Sequence, residues 1–155
     1  MNKILVPVDG SVASKKSSIK AVQIAKENNG EIVFLSIVDF RGKYAYMGYM
    51  GDGVDPAYTG DGFNAKILAM LLKNQAEMLD SFTGLLNIEG VKFENKVIEG
   101  IPYEEILKYA GENDVDLIIM GRRGFSKVKR FFVGSVTQRV ISDAPCPVLV
   151  INEGE

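Results

Sequence analysis

Short apolar runs that end abruptly at turn residues, separated by helix-period segments, constrain this chain more than any other feature. Ile4-Leu5-Val6-Pro7-Val8 breaks at Asp9-Gly10, and Ile32–Val38 is nearly continuous in apolar residues. Val115–Met120 stops at Gly121, and Val148–Ile151 follows Pro145-Cys146-Pro147. Unbroken apolar runs suit strands covered on both faces, the condition of a parallel sheet. Val91–Ile98 instead alternates apolar with polar residues, the pattern of a strand at or near a sheet edge.

Helical patterns fill the gaps. Ser11 can cap a helix along which Ile19, Ala21, Val22 and Ala25 recur at helical spacing, and Asn28-Asn29-Gly30 ends it. Leu68, Leu71, Leu72, Leu79, Phe82 and Leu86 form one face of a long helix, with Lys66, Lys73, Glu77 and Asp80 pointing elsewhere. Pro102 occupies a first helical turn ahead of Ile106, Leu107 and Ala110, and a short helix runs from about Ser135 to Ser142. Strands alternating with helices predict an α/β fold: a single open five-stranded parallel sheet, strand order 3-2-1-4-5, helices on both faces, in one domain over residues 1–155.

Composition excludes several chemistries. The chain has no histidine, which removes a Ser-His-Asp or Cys-His nucleophile, a His-ligated zinc site and an imidazole base. A net charge of −2 argues against general affinity for nucleic acid. No apolar run approaches the ~20 residues of a membrane span. The absence of a signal-like start and the single cysteine fit a reducing, cytoplasmic setting. Cys146 reads as a small residue in a rigid turn rather than a reactive thiol.

From Asp39 to Gly62 the periodicity stops. Six glycines alternate there with Tyr44, Tyr46, Met47, Tyr49, Met50 and Tyr58. The segment is too long for an ordinary connection and reads as a mobile insertion, a lid or partner-binding loop, or equally as a disordered crossover arm.

Ligands of open parallel sheets sit beyond the carboxyl ends of the strands, where the strand order reverses. With the first strand central, that crevice lies between the first and fourth strands, bounded by Asp9-Gly10-Ser11 and Gly121-Arg122-Arg123-Gly124. Gly121, Gly124 and Gly134-Ser135 give the spacing G-x2-G-x9-G-S, from the end of a buried strand to the start of a helix. Glycines permit close approach and positive φ, and the amides of Gly134, Ser135 and Val136 would be unpaired donors suited to phosphate oxygens. Ser135 can cap that helix. The same glycines would also serve a plain loop, and Asp9 a helix-capping turn. Neither a G-x-x-x-x-G-K-[ST] loop nor a G-x-G-x-x-G turn after the first strand is present.

The run IIMGRRGFSKVKRFFVGSVTQRVI, with ILVPVDGS near the start, VIEGIPYEEIL at the junction of the third strand with the helix after it and CPVLVIN at the end, resembles the universal stress protein family over almost the whole chain. The resemblance implies a Rossmann-like fold of the adenine nucleotide alpha hydrolase kind. G-x2-G-x9-G-[S/T] marks the ATP-binding members, so it also implies ATP or another adenine nucleotide, with Mg2+ through the phosphates and no protein metal ligand identified. Carried over by position, Pro7, Val8 and Val38 would line an adenine pocket and Asp9 would accept from the ribose hydroxyls. Met120, Gly121, Gly124, Gly134, Ser135 and Val136 would surround ribose and phosphates, and Gly100 would allow close approach at the end of the third strand. The resemblance further implies a homodimer through Val148–Ile151.

Among the basic residues Arg122, Arg123, Lys127, Lys129 and Arg130, only Arg123 or Arg122 is expected to meet a phosphate; the rest suit a solvated surface. No residue presents itself as a base or water-orienting group. The leading expectation is therefore a regulatory, stress-response protein that holds ATP as a ligand or slow switch. The alternatives are a slow ATPase or nucleotidyl-transfer enzyme closed by the 39–62 segment, and a dimeric protein-binding module.

Overall fold

The computed structural model describes residues 3–40, 61–124 and 133–152. Within them the chain runs β1 (Lys3–Pro7), α1 (Val12–Asn28), β2 (Glu31–Val38), α2 (Asp61–Gly84), β3 (Lys92–Glu99), α3 (Pro102–Glu112), β4 (Leu117–Gly121), α4 (Ser135–Asp143) and β5 (Val148–Ile151). All four strand pairings are parallel, in the order β3-β2-β1-β4-β5. The predicted α/β sheet and strand order are those observed. Most of the insertion expected at 39–62 lies outside the described residues, except that α2 already begins at Asp61. Lys127, Lys129 and Arg130 lie outside them too.

Strand periodicity divides the core in two. Ile4, Val6, Ile32, Phe34 and Ile119 pack against Ala21, Val22 and Ala25 of α1 and Leu79 of α2. Leu5, Val33, Leu35, Ile118 and Met120 pack against Ile106 and Ala110 of α3 and Val140 of α4. Phe34, Leu5 and Ile118 are fully buried, and each such side chain contributes roughly 1.5–3 kcal/mol. The alternating strand β3 is an edge, and its charged Lys92, Glu94 and Lys96 discourage further pairing there.

Helix α1 departs from the expected stripe. Ser11 is the N-cap, accepting from the Ser14 N–H at 3.2 Å, and Asn29 closes the helix in the left-handed region at φ 51°. Its buried face, however, carries Ser14, Ser17 and Ser18 beside Ala13, Ala21, Val22 and Ala25, while Ile19 is 53% exposed. The buried hydroxyls donate to carbonyls of the preceding turn: Ser14 to Ser11 at 2.9 Å, Ser17 and Ser18 to Ser14 at 2.9 and 2.7 Å. Satisfied in this way, small serines can face the sheet at little cost and let the helix lie close. One close approach is at Gly121, where an added Cβ would stand 2.5 Å from the Ala13 Cβ and 3.0 Å from its carbonyl carbon.

At the amino ends of the strands the register aligns Lys3, Glu31 and Lys92. The Lys92 ammonium lies 2.6 Å from Glu31 and the Lys3 ammonium 3.6 Å from it. The hydrogen bond from Lys92 holds the Glu31 carboxyl below its usual 4.5, and the bond to Glu31 raises Lys92 above 10.5. Just before the amino end of β5, burial first and the Asp116 charge second push the Cys146 thiol up, so it stays protonated at neutral pH.

Two predictions follow from this packing. Gly121→Ala should destabilise the protein by about 1–3 kcal/mol through overpacking against Ala13. Urea titration should show part of that loss recovered in the Ala13→Gly/Gly121→Ala double variant; additive losses would mean the two sites are uncoupled. For Glu31→Gln, the stability difference from the wild type should hold steady between pH 4.5 and 10.5. It should shrink as pH falls through the depressed Glu31 value and as pH rises through the elevated Lys92 value, read from denaturation midpoints across pH.

Candidate functional site

Parallel strands bring their following turns to one edge of the sheet. Between β1 and β4, where the chain winds outward in both directions, lies a cavity of about 300 Å³. Ten of the predicted positions line it: Pro7, Val8 and Asp9 after β1, Met120, Gly121, Arg123 and Gly124 after β4, and Gly134, Ser135 and Val136 at the start of α4. Segments more than a hundred residues apart in sequence thus share one wall.

Each member is held by identifiable contacts. Asp9 accepts the Ser11 N–H through Oδ1 at 2.9 Å, which makes it the turn residue ahead of α1. Its other oxygen, Oδ2, faces Gly124, where an added Cβ would collide with it. The capping role and a ligand role for Asp9 are therefore compatible, since they use different oxygens. Val8 has its side chain buried in the α1/α2 core, so its main chain forms the cavity wall.

The start of α4 differs from the expectation in two respects. Gly134, not Ser135, is the N-cap, and no side chain caps the helix. The Gly134 N–H is not an open donor either: it donates to the Arg122 carbonyl at 2.9 Å. The amides that lead toward the cavity without a partner in the helix ladder are those of Ser135, Val136 and Thr137, since the ladder starts with Gln138 N–H to Gly134 O. Aligned peptide dipoles add partial positive charge at this point. Gly121, Gly124 and Gly134 all lack a positive φ; Gly121 and Gly124 serve close approach instead, whereas a Cβ at Gly134 would meet only ordinary contacts, the nearest at 3.5 Å.

Two predicted positions lie outside the lining. Strand alternation turns Ile37, not Val38, to the cavity, and the Val38 carbonyl accepts the Gly100 N–H at 3.1 Å. Gly100 does need to be glycine, with φ 154° and the Glu105 side chain occupying the space of a Cβ. Arg122 also lies outside it; its N–H donates to the Ile151 carbonyl.

Several lining residues escaped the sequence reading. Ser14 comes from α1, Leu35 and Ile37 from β2, Pro102 and Ile106 from α3, while Ser11, expected at the rim of the crevice, lines it as the N-cap of α1. Thr137 is buried and donates to the Gly121 carbonyl at 3.0 Å, tying the end of β4 to the first turn of α4. Its position three residues after Gly134 was the available signal. Helices α3 and α4 are joined beside the cavity by Arg139, whose guanidinium lies 4.5 Å from the Tyr103 ring centroid. The Tyr103 hydroxyl donates to Glu104 at 2.8 Å, a bond that raises its pKa.

The cavity thus has an apolar floor (Leu35, Ile37, Ile106, Met120), one carboxylate and a cluster of backbone donors. That combination suits an aromatic or aliphatic body with hydroxyls and an anionic group. Among the described residues no group of three or more acidic or cysteine side chains could hold a metal ion, and no helix is long and apolar enough to cross a membrane.

Comparison with known proteins gives this geometry a family. The model of the Universal stress protein family matches residues 1–152. Universal stress protein MJ0531 of Methanocaldococcus jannaschii is 33% identical over 97% of this chain and 82% of its own. The solved structure of the protein MJ0577 superposes with a TM-score of 0.81 at 27% identity, over 99% of this chain and 97% of that one. A universal stress protein in complex with cAMP (TM-score 0.61, 22% identity, 99% and 98% coverage) shares the fold. So does the Archaeoglobus fulgidus universal stress protein in complex with dAMP (0.60, 21%, 97% and 98%). By sequence over nearly its full length, this chain belongs to the universal stress protein family.

Proposed function

We propose that the cavity between β1 and β4 binds an adenine nucleotide, ATP foremost, as a regulatory ligand rather than as a substrate turned over. One observation carries this reading: Asp9 and the open amides of Ser135 and Val136 face one cavity with an apolar floor. The base would lie on Leu35, Ile37 and Met120. The Asp9 Oδ2 would accept from the ribose hydroxyls, and the α4 amides with Arg123 would meet phosphate oxygens. Gly124 fits a ligand cradle, because a Cβ there would fill the space beside Asp9. The cAMP and dAMP complexes of related folds support an adenylate. Magnesium would be carried by the phosphates, with water completing its shell.

Holding is favoured over hydrolysis because, among the described residues, Asp9 is the one carboxylate lining the cavity, its two oxygens are assigned to the Ser11 turn and the ribose, and a phosphate cradle alone does not position an attacking water. A cytoplasmic regulator of this kind would act as a homodimer: β5 is an apolar edge strand whose four residues are only half-buried, open to pairing with a second copy.

Protein purified and heated to release small molecules should yield adenine absorbance and an ATP, ADP or AMP mass. A blank, together with no heat on titration with Mg-ATP, would sink the reading. Gly124→Val should weaken Mg-ATP binding at least ten-fold by pressing on Asp9. Asp9→Asn keeps an acceptor for the Ser11 turn; it should weaken ATP binding about ten-fold yet change affinity for 2′,3′-dideoxy-ATP little, as measured by calorimetry.

A further inference from the structure

One buried polar contact on the α1/α2 side of the sheet is not accounted for by the core or by the cavity lining. Ser36 is fully buried on β2, on the face that carries Ile32 and Phe34. Its hydroxyl donates to the Val8 carbonyl at 2.8 Å and accepts from the Gln75 side-chain amide at 2.6 Å. Gln75 in turn interrupts the otherwise apolar face of α2 between Leu72 and Leu79. A polar pair in that interface adds no more burial than Leu against Val would, so its placement is better explained by what it holds.

What it holds is the end of β1. Pro7 has no N–H, so the strand loses one anchor just before it leaves the sheet. Val8 is therefore the last residue whose main chain ties β1 down: its N–H donates to Leu35 O at 2.8 Å and its carbonyl accepts from Ser36. The next residue is Asp9, whose carboxylate is divided between Ser11 and the Gly124 side of the cavity. The bonds from Gln75 to Ser36 to Val8 run donor to acceptor in one direction, an arrangement in which each strengthens the next.

We infer that Gln75 and Ser36 are positioning residues of the site: through the Val8 carbonyl they fix the Pro7–Asp9 wall of the cavity in the geometry that receives a ligand. The consequence for affinity rests on the nucleotide reading above; the positioning itself does not. Neither side chain touches the cavity, so both act only through Val8 and Asp9.

Two variants test this in the intact chain. Ser36→Ala removes the bond to Val8. Gln75→Leu keeps that bond but removes its support, and suits the apolar face on which it sits. Amide hydrogen exchange of ligand-free protein should speed up at Val8 and Ser11 about ten-fold in Ser36→Ala, and less in Gln75→Leu, with Val33 in mid-strand unchanged. Mg-ATP affinity at a temperature where both variants are fully folded should fall about ten-fold and about three-fold respectively. Ser36→Thr, which keeps the hydroxyl, should restore both readouts. Wild-type exchange at Val8 and Ser11 in folded Ser36→Ala would overturn the inference, as would wild-type Mg-ATP affinity in that variant. If the wild type itself binds no adenine nucleotide, the nucleotide reading fails and the exchange rates alone decide whether Ser36 and Gln75 position the wall.

Discussion

Parallel pairing is the constraint on which the rest of this structure depends. Strands that all run one way cannot be joined by tight turns; each needs a crossover, and the helices of those crossovers cover both faces of the sheet. The cost is that the inner strands must be apolar on both sides, which is why β1, β2 and β4 are almost unbroken apolar runs, while the edge strand β3 can alternate. The return is geometric. All the carboxyl-end turns collect along one edge, and at the single place where winding reverses, between β1 and β4, two of them separate and leave a cavity. The Lys3–Glu31–Lys92 cluster lies at the opposite ends of the strands, where charge can register the sheet without entering that cavity.

The fit of α1 over this edge depends on small residues. A leucine-faced helix would stand further from the sheet. Here Ala13 lies against Gly121 and the serines behind it satisfy their own hydroxyls, so the first turn of α1 comes down beside the end of β4. Ser11 and Ser14 become part of the cavity wall for the same reason. The glycine at 121 is thus required first by helix packing, and the space it leaves for a ligand follows from that.

The strand runs made the fold legible, because a fully buried parallel strand has few other ways to be written. The topology, the edge character of β3 and the caps Ser11 and Asn29 followed from local chemistry. Less visible was anything set by three-dimensional approach. Ile19 seemed to belong to the core because it is apolar, yet the inward face belongs to serines whose burial depends on a glycine a hundred residues away. The family resemblance put Val38 at the cavity, but strand alternation turns the neighbouring Ile37 to it. Ser135 looked like a cap by residue type; the backbone instead gives that place to Gly134 because its N–H is needed by Arg122. Ten of twelve expected site positions nonetheless meet at one cavity, since they lie at or just after the carboxyl ends of β1 and β4 and at the start of α4, which parallel topology gathers along one edge.

The three glycines of the G-x2-G-x9-G-S spacing turn out to do three different things. Gly121 admits Ala13, Gly124 leaves room for the Asp9 carboxylate, and Gly134 donates its N–H back to Arg122 while starting α4. None uses the left-handed conformation that glycine adopts most readily. The first two glycines therefore record close approaches of β4 to α1 and of the following turn to Asp9, while the third marks the helix start. Those approaches leave the amides of Ser135 and Val136 as the open donors, opposite a carboxylate already fixed by Ser11. A ligand that satisfied both would carry hydrogen-bond donors for Asp9 and anionic oxygens for the amides, and the apolar floor suits an aromatic or aliphatic body.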